Sequence, residues 1–149
     1  MNNDIFKLNL KSMVMKFKVL VVGTALLAFS FTQVMNAQQA KGEPWTIPAE
    51  YKKMANPVAK DDASIKAGQM AYAKNCASCH GKTGLGDGPK GRMTKTFPGD
   101  FSGAAFQGFS DGEMFYQTKF GRGEMPAYDK KIPDTEIWKM VHYMRTLKK

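Results

Sequence analysis

Cys76-Ala77-Ser78-Cys79-His80 is the stretch that decides how this chain folds, because it holds both cysteines and one of the two histidines. Two thiolates three residues apart on one helical turn can each add to a haem vinyl group, and the adjacent imidazole then faces the iron. We therefore interpret this stretch as a covalent haem attachment site. Cys76 and Cys79 would form the thioethers, and His80 would ligate the iron.

Three other interpretations of the two cysteines are weaker. A thioredoxin-like redox pair belongs in a βαβ unit, and the sequence shows no such pattern. A structural zinc site needs four ligands, and His142 is the only histidine left to supply one. A plain disulfide would leave unexplained both His80 and a methionine loop further along the chain.

The first 37 residues have the features of a secretory signal. Lysines precede an apolar run of 13 residues, Val19 to Phe31, and the small residue Ala37 follows. That run is shorter than the roughly 20 residues that a bilayer span needs. We expect residues 1-37 to be a cleaved signal peptide and the mature protein to be periplasmic or otherwise extracytoplasmic. If the segment stayed uncleaved, it would act as a membrane anchor.

The charge balance favours protein partners over nucleic acid. The net charge is +9 for the whole sequence, and without residues 1-37 it is +6, from 18 basic and 12 acidic side chains. A moderately basic surface steers association with acidic partners. No nucleic-acid recognition motif accompanies the charge, so we expect redox proteins, some with acidic docking surfaces, as partners.

Residues 38-61 are predicted to be a linker or an extended arm, since three prolines interrupt them and no helical or strand period is sustained. Trp45, Ile47 and Tyr51 are expected to pack back onto the body of the domain or to touch a partner. The first helix is predicted from Ala63 to about Cys76, capped by Asp62 or Ser64. Gly68 falls on its buried stripe, which suggests that another helix crosses closely there.

Two further helices are predicted in the second half of the chain. The capping box Ser110-Asp111-Gly112-Glu113 starts one that ends near Phe120. The last helix runs from Pro133 or Asp134 to about Leu147. His142 lies about 140° from the Ile137 edge of its apolar face and is predicted to face solvent. The members of that apolar face are Ile137, Met140, Val141, Met144 and Leu147.

A low-spin haem iron in an electron carrier needs a second axial ligand, for which a methionine thioether is suited. Met125 is our first candidate, because it lies 45 residues after His80 in a loop that Pro126 stiffens. Met93 is the second candidate, although only 13 residues separate it from His80. The other methionines of this part of the chain fall on predicted helices, where methionine is usually core: Met114, Met140 and Met144.

The imidazole of His80 also needs a partner for its second ring nitrogen. The carbonyl of Pro89 is the predicted acceptor. This rigid residue follows nine positions on, inside a glycine-rich loop that can return to the same side of the haem.

Three parts of the sequence form a recognisable set: Gly68, Tyr72 and Cys76 to Gly81, then Gly123 to Tyr128, then Glu136 to Leu147. With this set, residues 62-149 closely resemble the class I monohaem cytochromes c of bacteria. The resemblance implies an all-α fold, a small cytochrome c-type fold of three to five helices around one covalently attached haem c, with crossing N- and C-terminal helices. It also implies that His80 and Met125 are the axial ligands and that the Pro89 carbonyl contacts His80.

Three functions remain open at this point. The first is single-electron transfer by a monohaem carrier whose two axial positions are filled. The second is a haem subunit of a periplasmic dehydrogenase or respiratory complex, with residues 38-61 as a docking segment. The third is a ligand-sensing haem module, which would require a labile Met125.

Overall fold

Helices supply nearly all the regular structure of residues 39–149, the part of the chain that a computed structural model describes. The predicted signal peptide over residues 1-37 lies outside this part. No helix within residues 39–149 is long and apolar enough to cross a membrane. The helices are α1 (Ala49–Lys52), α2 (Asp62–Asn75), α3 (Ala77–His80), α4 (Ala104–Gln107), α5 (Asp111–Phe120) and α6 (Asp134–Thr146), with a 3₁₀ turn at Gly91–Met93.

Helix α2 begins one residue earlier than the sequence pattern predicts. The carboxylate of Asp61 accepts a hydrogen bond from the backbone N–H of Ser64 at 2.7 Å, so Asp61 is the N-cap rather than Asp62 or Ser64. The helix ends at Asn75, and the N–H of Cys76 still donates to the Tyr72 carbonyl. The predicted helix is therefore confirmed, with a corrected cap.

The first and last long helices cross in contact with each other, as the resemblance implies. Gly68 is buried at this crossing, and a side chain there would collide with the backbone of Lys139 and Met140. Glycine lets the two backbones approach this closely because it has no Cβ. The crossing gives the domain its main core, in which Tyr72, Ile137 and Met140 are almost fully buried.

Helix α6 is buried on more of its circumference than its apolar stripe indicates. The prediction that His142 faces solvent is wrong: its side chain is 5% exposed, and Nε2 lies 2.8 Å from the carbonyl oxygen of Val58. The segment before α2 covers this side of the helix. Asn56 reinforces the cover, since its side-chain amide donates to the Trp138 carbonyl at 3.0 Å.

Helix α5 has the predicted capping box and the predicted end. Ser110 Oγ accepts from the Glu113 N–H at 3.2 Å, and the Glu113 carboxylate accepts from the Ser110 N–H at 2.7 Å. Short α1 packs against α5, where the Tyr51 ring meets Tyr116 edge-on with centroids 4.8 Å apart. Ile47 is also buried, so residues of the predicted arm lie against the body of the domain.

Candidate haem-binding site

The Cys76–His80 stretch contains the helical turn α3, which follows α2 with only Cys76 between them. The N–H groups of Cys79 and His80 both donate to the Cys76 carbonyl, at 3.1 and 2.9 Å. Because Cys76 and Cys79 are one turn apart, their side chains share a face of the helix. Both thiols are free and partly buried.

The glycine-rich loop after His80 closes on the carbonyl end of this turn. The Gly86 N–H donates to the His80 carbonyl at 2.8 Å, and the Lys90 N–H donates to the Ser78 carbonyl at 2.9 Å. A side chain at Gly88 would collide with that same Ser78 carbonyl. The hydroxyl of Tyr72 donates to the carbonyl of Gly81, the residue directly after the turn, at 2.8 Å. The loop thereby fixes the orientation of the helical turn that carries the two thiols.

His80 is placed so that its imidazole stays neutral. Burial lowers the pKa of His80 to about 4, an effect that the nearby Pro98 carbonyl partly opposes. Its Nδ1 is buried without a hydrogen-bond partner among the described residues, and its ring lies 4.6 Å from that of Phe101. A neutral imidazole has a free lone pair for a metal ion. Because Nδ1 has no partner in the described part of the chain, the hydrogen bond from His80 to the Pro89 carbonyl stays a prediction.

Burial also governs the thiol of Cys76, whose pKa rises to about 12, with the neighbouring Cys79 as the second cause. A protonated thiol at this position is a weak nucleophile. We therefore expect the thioether at Cys76 to form more readily before this residue is buried.

Met125 closes a tight hairpin. The N–H of Arg122 donates to the Met125 carbonyl at 2.9 Å, and the Met125 N–H donates back at 3.0 Å. Gly123 at the tip has φ of +58°, a conformation that favours glycine. Met93, by contrast, is 78% exposed. Of the two candidate ligands, Met125 has the less exposed side chain.

Tyr128 brings the Met125 loop next to the cysteine motif. Its hydroxyl donates to the carbonyl of Asn75 at 2.9 Å, directly before Cys76. Burial raises the pKa of Tyr128, and the two cysteines raise it further, which places all three side chains in one neighbourhood. No local sequence pattern indicates this contact, because 53 residues separate its partners.

These residues fit a haem c. The set comprises two free thiols one helical turn apart, a neutral imidazole with an unpaired ring nitrogen, and a thioether in a fixed hairpin. Within residues 39–149, no group of three or more His, Cys, Asp or Glu side chains could hold a metal ion. A porphyrin supplies four iron ligands itself, so two axial side chains complete the coordination.

Comparison with known proteins agrees with this fold and donor set. A family model described as "Cytochrome C oxidase, cbb3-type, subunit III" matches residues 63–144. The cbb3-type cytochrome c oxidase subunit CcoP of Azospirillum brasilense is 30% identical over 127 residues, which are 85% of this chain and 41% of that protein. Cytochrome c6 of Picosynechococcus is 31% identical over 88 residues, which are 55% of this chain and 72% of that protein.

A solved structure extends the comparison. A chain of the Kuenenia stuttgartiensis reducing HAO-like protein complex superposes with a TM-score of 0.58 at 26% identity, covering 74% of this chain and 52% of that chain. The present chain thus spans less than half of the CcoP subunit and about half of the Kuenenia chain.

The helix crossing, the two free thiols one helical turn apart and these matches define a monohaem c-type cytochrome domain. The chain belongs to the family described as cytochrome c oxidase, cbb3-type, subunit III. Membership implies a haem held covalently through Cys76 and Cys79.

Proposed function

We propose that this protein transfers single electrons between redox partners in the periplasm, with one haem c whose iron is ligated by His80 and Met125. The observation that carries the proposal is the hydrogen bond from Tyr128 to Asn75, which holds the Met125 loop beside the cysteine motif. A second axial ligand fills the remaining coordination position of a haem iron and makes a closed site. A closed site favours electron transfer over the binding or activation of a substrate.

The residues of the chain have separate tasks in this function. Cys76 and Cys79 would hold the haem: each thiol would add across one vinyl group, with its hydrogen going to the neighbouring carbon, so no oxidant would be consumed. The bound haem would supply a one-electron ferric–ferrous couple, and His80 and Met125 would hold its iron. A Met125 thioether would raise the potential relative to a second imidazole.

Two measurements on the purified protein test this function. Pyridine haemochrome formation, together with resistance of the haem to acid-acetone extraction, is expected for two thioethers. The ferric spectrum is expected to contain the long-wavelength methionine-to-iron charge-transfer band and to lose it in Met125→Ala. Met93→Ala is the matched control and should retain the band. Loss of the band in the control alone would overturn the assignment of Met125.

The redox partners are proposed to include proteins with acidic docking surfaces, because residues 39–149 retain the net positive charge. The rate of electron transfer to an acidic partner should then fall as ionic strength rises. A rate independent of salt would exclude electrostatic steering.

A second candidate function is a haem subunit of a larger oxidoreductase. It is favoured by the match to CcoP, which covers 85% of this chain and therefore has to include residues 39–61. Solubilising native membranes and locating this cytochrome by size-exclusion chromatography separates the two functions. Co-elution with a large complex supports the subunit, and elution as a lone small protein supports the free carrier.

A further inference from the structure

Residues 39–45, which we call the N-terminal strap, hydrogen-bond to parts of the chain that follow much later. Gln39 Nε2 donates to the carbonyl of Gly91 at 2.7 Å, and the N–H of Phe97 donates to the carbonyl of Ala40 at 3.0 Å. The strap is thus paired with the loop that follows the glycine-rich segment, where Ala40 also forms an isolated parallel bridge.

The strap also holds the first residue of the Met125 hairpin. The Arg122 guanidinium donates to the carbonyls of Pro44 and Glu43, at 2.9 and 2.6 Å. The same guanidinium lies over the Trp45 ring, 4.3 Å from its centroid. A planar guanidinium that donates to two carbonyls and also stacks on an indole ring has a well-defined position.

Glu124 connects the other side of the hairpin to the loop that the strap pairs with. Its carboxylate accepts from the backbone N–H groups of Lys95 and Thr96, at 2.9 and 3.2 Å. The N-terminal strap, the loop around Lys95 and the Met125 hairpin therefore each contact the other two. Two residues that flank the hairpin tip, Arg122 and Glu124, provide its contacts to the other two segments.

On its N-terminal side the hairpin relies on these contacts, because Gly123 at its tip packs against no other described residue. A side chain built at Gly123 would meet no atom within 4 Å. Gly123 has φ of +58° and lies two residues before Met125, the proposed iron ligand. Without lateral contacts, the hairpin backbone would have low local stability.

From this arrangement we propose that the N-terminal strap is a positioning element that keeps Met125 on the haem iron, with Arg122 and Trp45 as its positioning residues. The inference rests on the proposed function, in which Met125 is the axial ligand. It assigns a role to residues 39–45, which lie outside the cytochrome c domain predicted from the sequence.

Imidazole binding to the ferric holoprotein tests the proposal. Imidazole can occupy the iron only when Met125 has left it, so its apparent affinity scales with the population of the open loop. Arg122→Ala is expected to raise that affinity ~10-fold and Trp45→Ala ~3-fold. Arg122→Lys keeps the positive charge but lacks the planar guanidinium, so its imidazole affinity should lie between those of Arg122→Ala and the parent. Lys41→Ala removes a charge from the exposed strap and should stay at the parental value.

Amide hydrogen exchange provides a readout that does not involve haem ligands. The Met125 N–H, which bonds to Arg122, should exchange faster in Arg122→Ala than in Lys41→Ala. Equal exchange and equal imidazole affinity in these two variants would overturn the proposal. A lower thermal midpoint in Arg122→Ala with unchanged imidazole affinity would also overturn it, because the role of the residue would then be structural only.

Met125→Ala separates failure of this inference from failure of the proposed function. If Met125→Ala binds imidazole no better than the parent, the axial assignment is wrong and the strap has no ligand to position. If Met125→Ala opens the iron but Arg122→Ala does not, the axial assignment stands and the strap proposal alone fails. Should Arg122→Ala not mature, Arg122→Lys and Trp45→Phe provide the same comparison.

Discussion

Gly68 of α2 lies directly against the backbone carbonyl of Lys139 in α6, at the crossing of the first and last long helices. Two helix backbones can come this close only where one of them has no side chain. The remainder of the core, including Tyr72 and Met140, is packed around this contact.

Gly68→Ala is expected to lower the free energy of unfolding by about 2–3 kcal/mol, because the added methyl group has to push α2 and α6 apart. Denaturant titration of the holoprotein measures the loss. Ala73→Ser adds an atom at an exposed position of the same helix and should change stability by less than ~0.5 kcal/mol. If Gly68→Ala left the free energy of unfolding unchanged, the helix crossing would be loosely packed.

His142→Phe should cost about 1–3 kcal/mol of stability while the haem spectrum stays unchanged. The substitution leaves the Val58 carbonyl without the donor that Nε2 supplies at 2.8 Å. His142→Gln can still donate a hydrogen bond and should recover part of the loss. If His142→Phe altered the iron spectrum instead, His142 would have a role at the haem rather than in the cover over α6.

Arg145→Ala is expected to destabilise the fold by about 2 kcal/mol, because one guanidinium joins α6 to the segment around α5. It donates to Asp111 at 2.8 Å and to the carbonyls of Gln107 and Phe109 at 2.8 and 2.6 Å. Lys148→Ala removes the same charge from an exposed site and is the control for thermal unfolding. Equal melting temperatures for the two variants would contradict the prediction.

Stability should also depend on pH through Asp61. Hydrogen bonds from the Ser64 backbone and side chain hold the pKa of Asp61 below its usual value. The charged Asp61 carboxylate therefore contributes to the free energy of unfolding above the ordinary titration range of a carboxyl group. This contribution is lost as pH falls through the lowered pKa. The stability difference between the parent and Asp61→Ala should be constant at neutral pH and shrink in acid. A difference that persists unchanged to the lowest pH would exclude the charged cap.

Features set by neighbouring residues could be predicted from the sequence. Ser110 and Glu113 form a reciprocal cap because both lie within one helical turn. The buried face of α6 follows from its period, and the close helix contact follows from Gly68 on a buried stripe. In each case the physical cause lies within a few residues along the chain.

Features set by distant residues could not be predicted in the same way. The burial of His142 depends on Val58, which lies 84 residues away, and an angle measured on an isolated helix does not include that cover. At the site, the CxxCH spacing indicates the thioethers and the first ligand. The Tyr128 bond to Asn75 and the Arg122 bonds to the strap form only when separate segments meet.

The pairing of α2 with α6 has a consequence for the order of events during synthesis. A chain made from its N-terminus acquires Cys76 and Cys79 long before Asp134–Thr146, so the motif exists before the helix that completes the core. During that interval the Cys76 thiol has the ordinary acidity of a free cysteine rather than the raised pKa that burial gives it in the folded state. We therefore expect haem attachment to be easier before the last helix completes the core than after it.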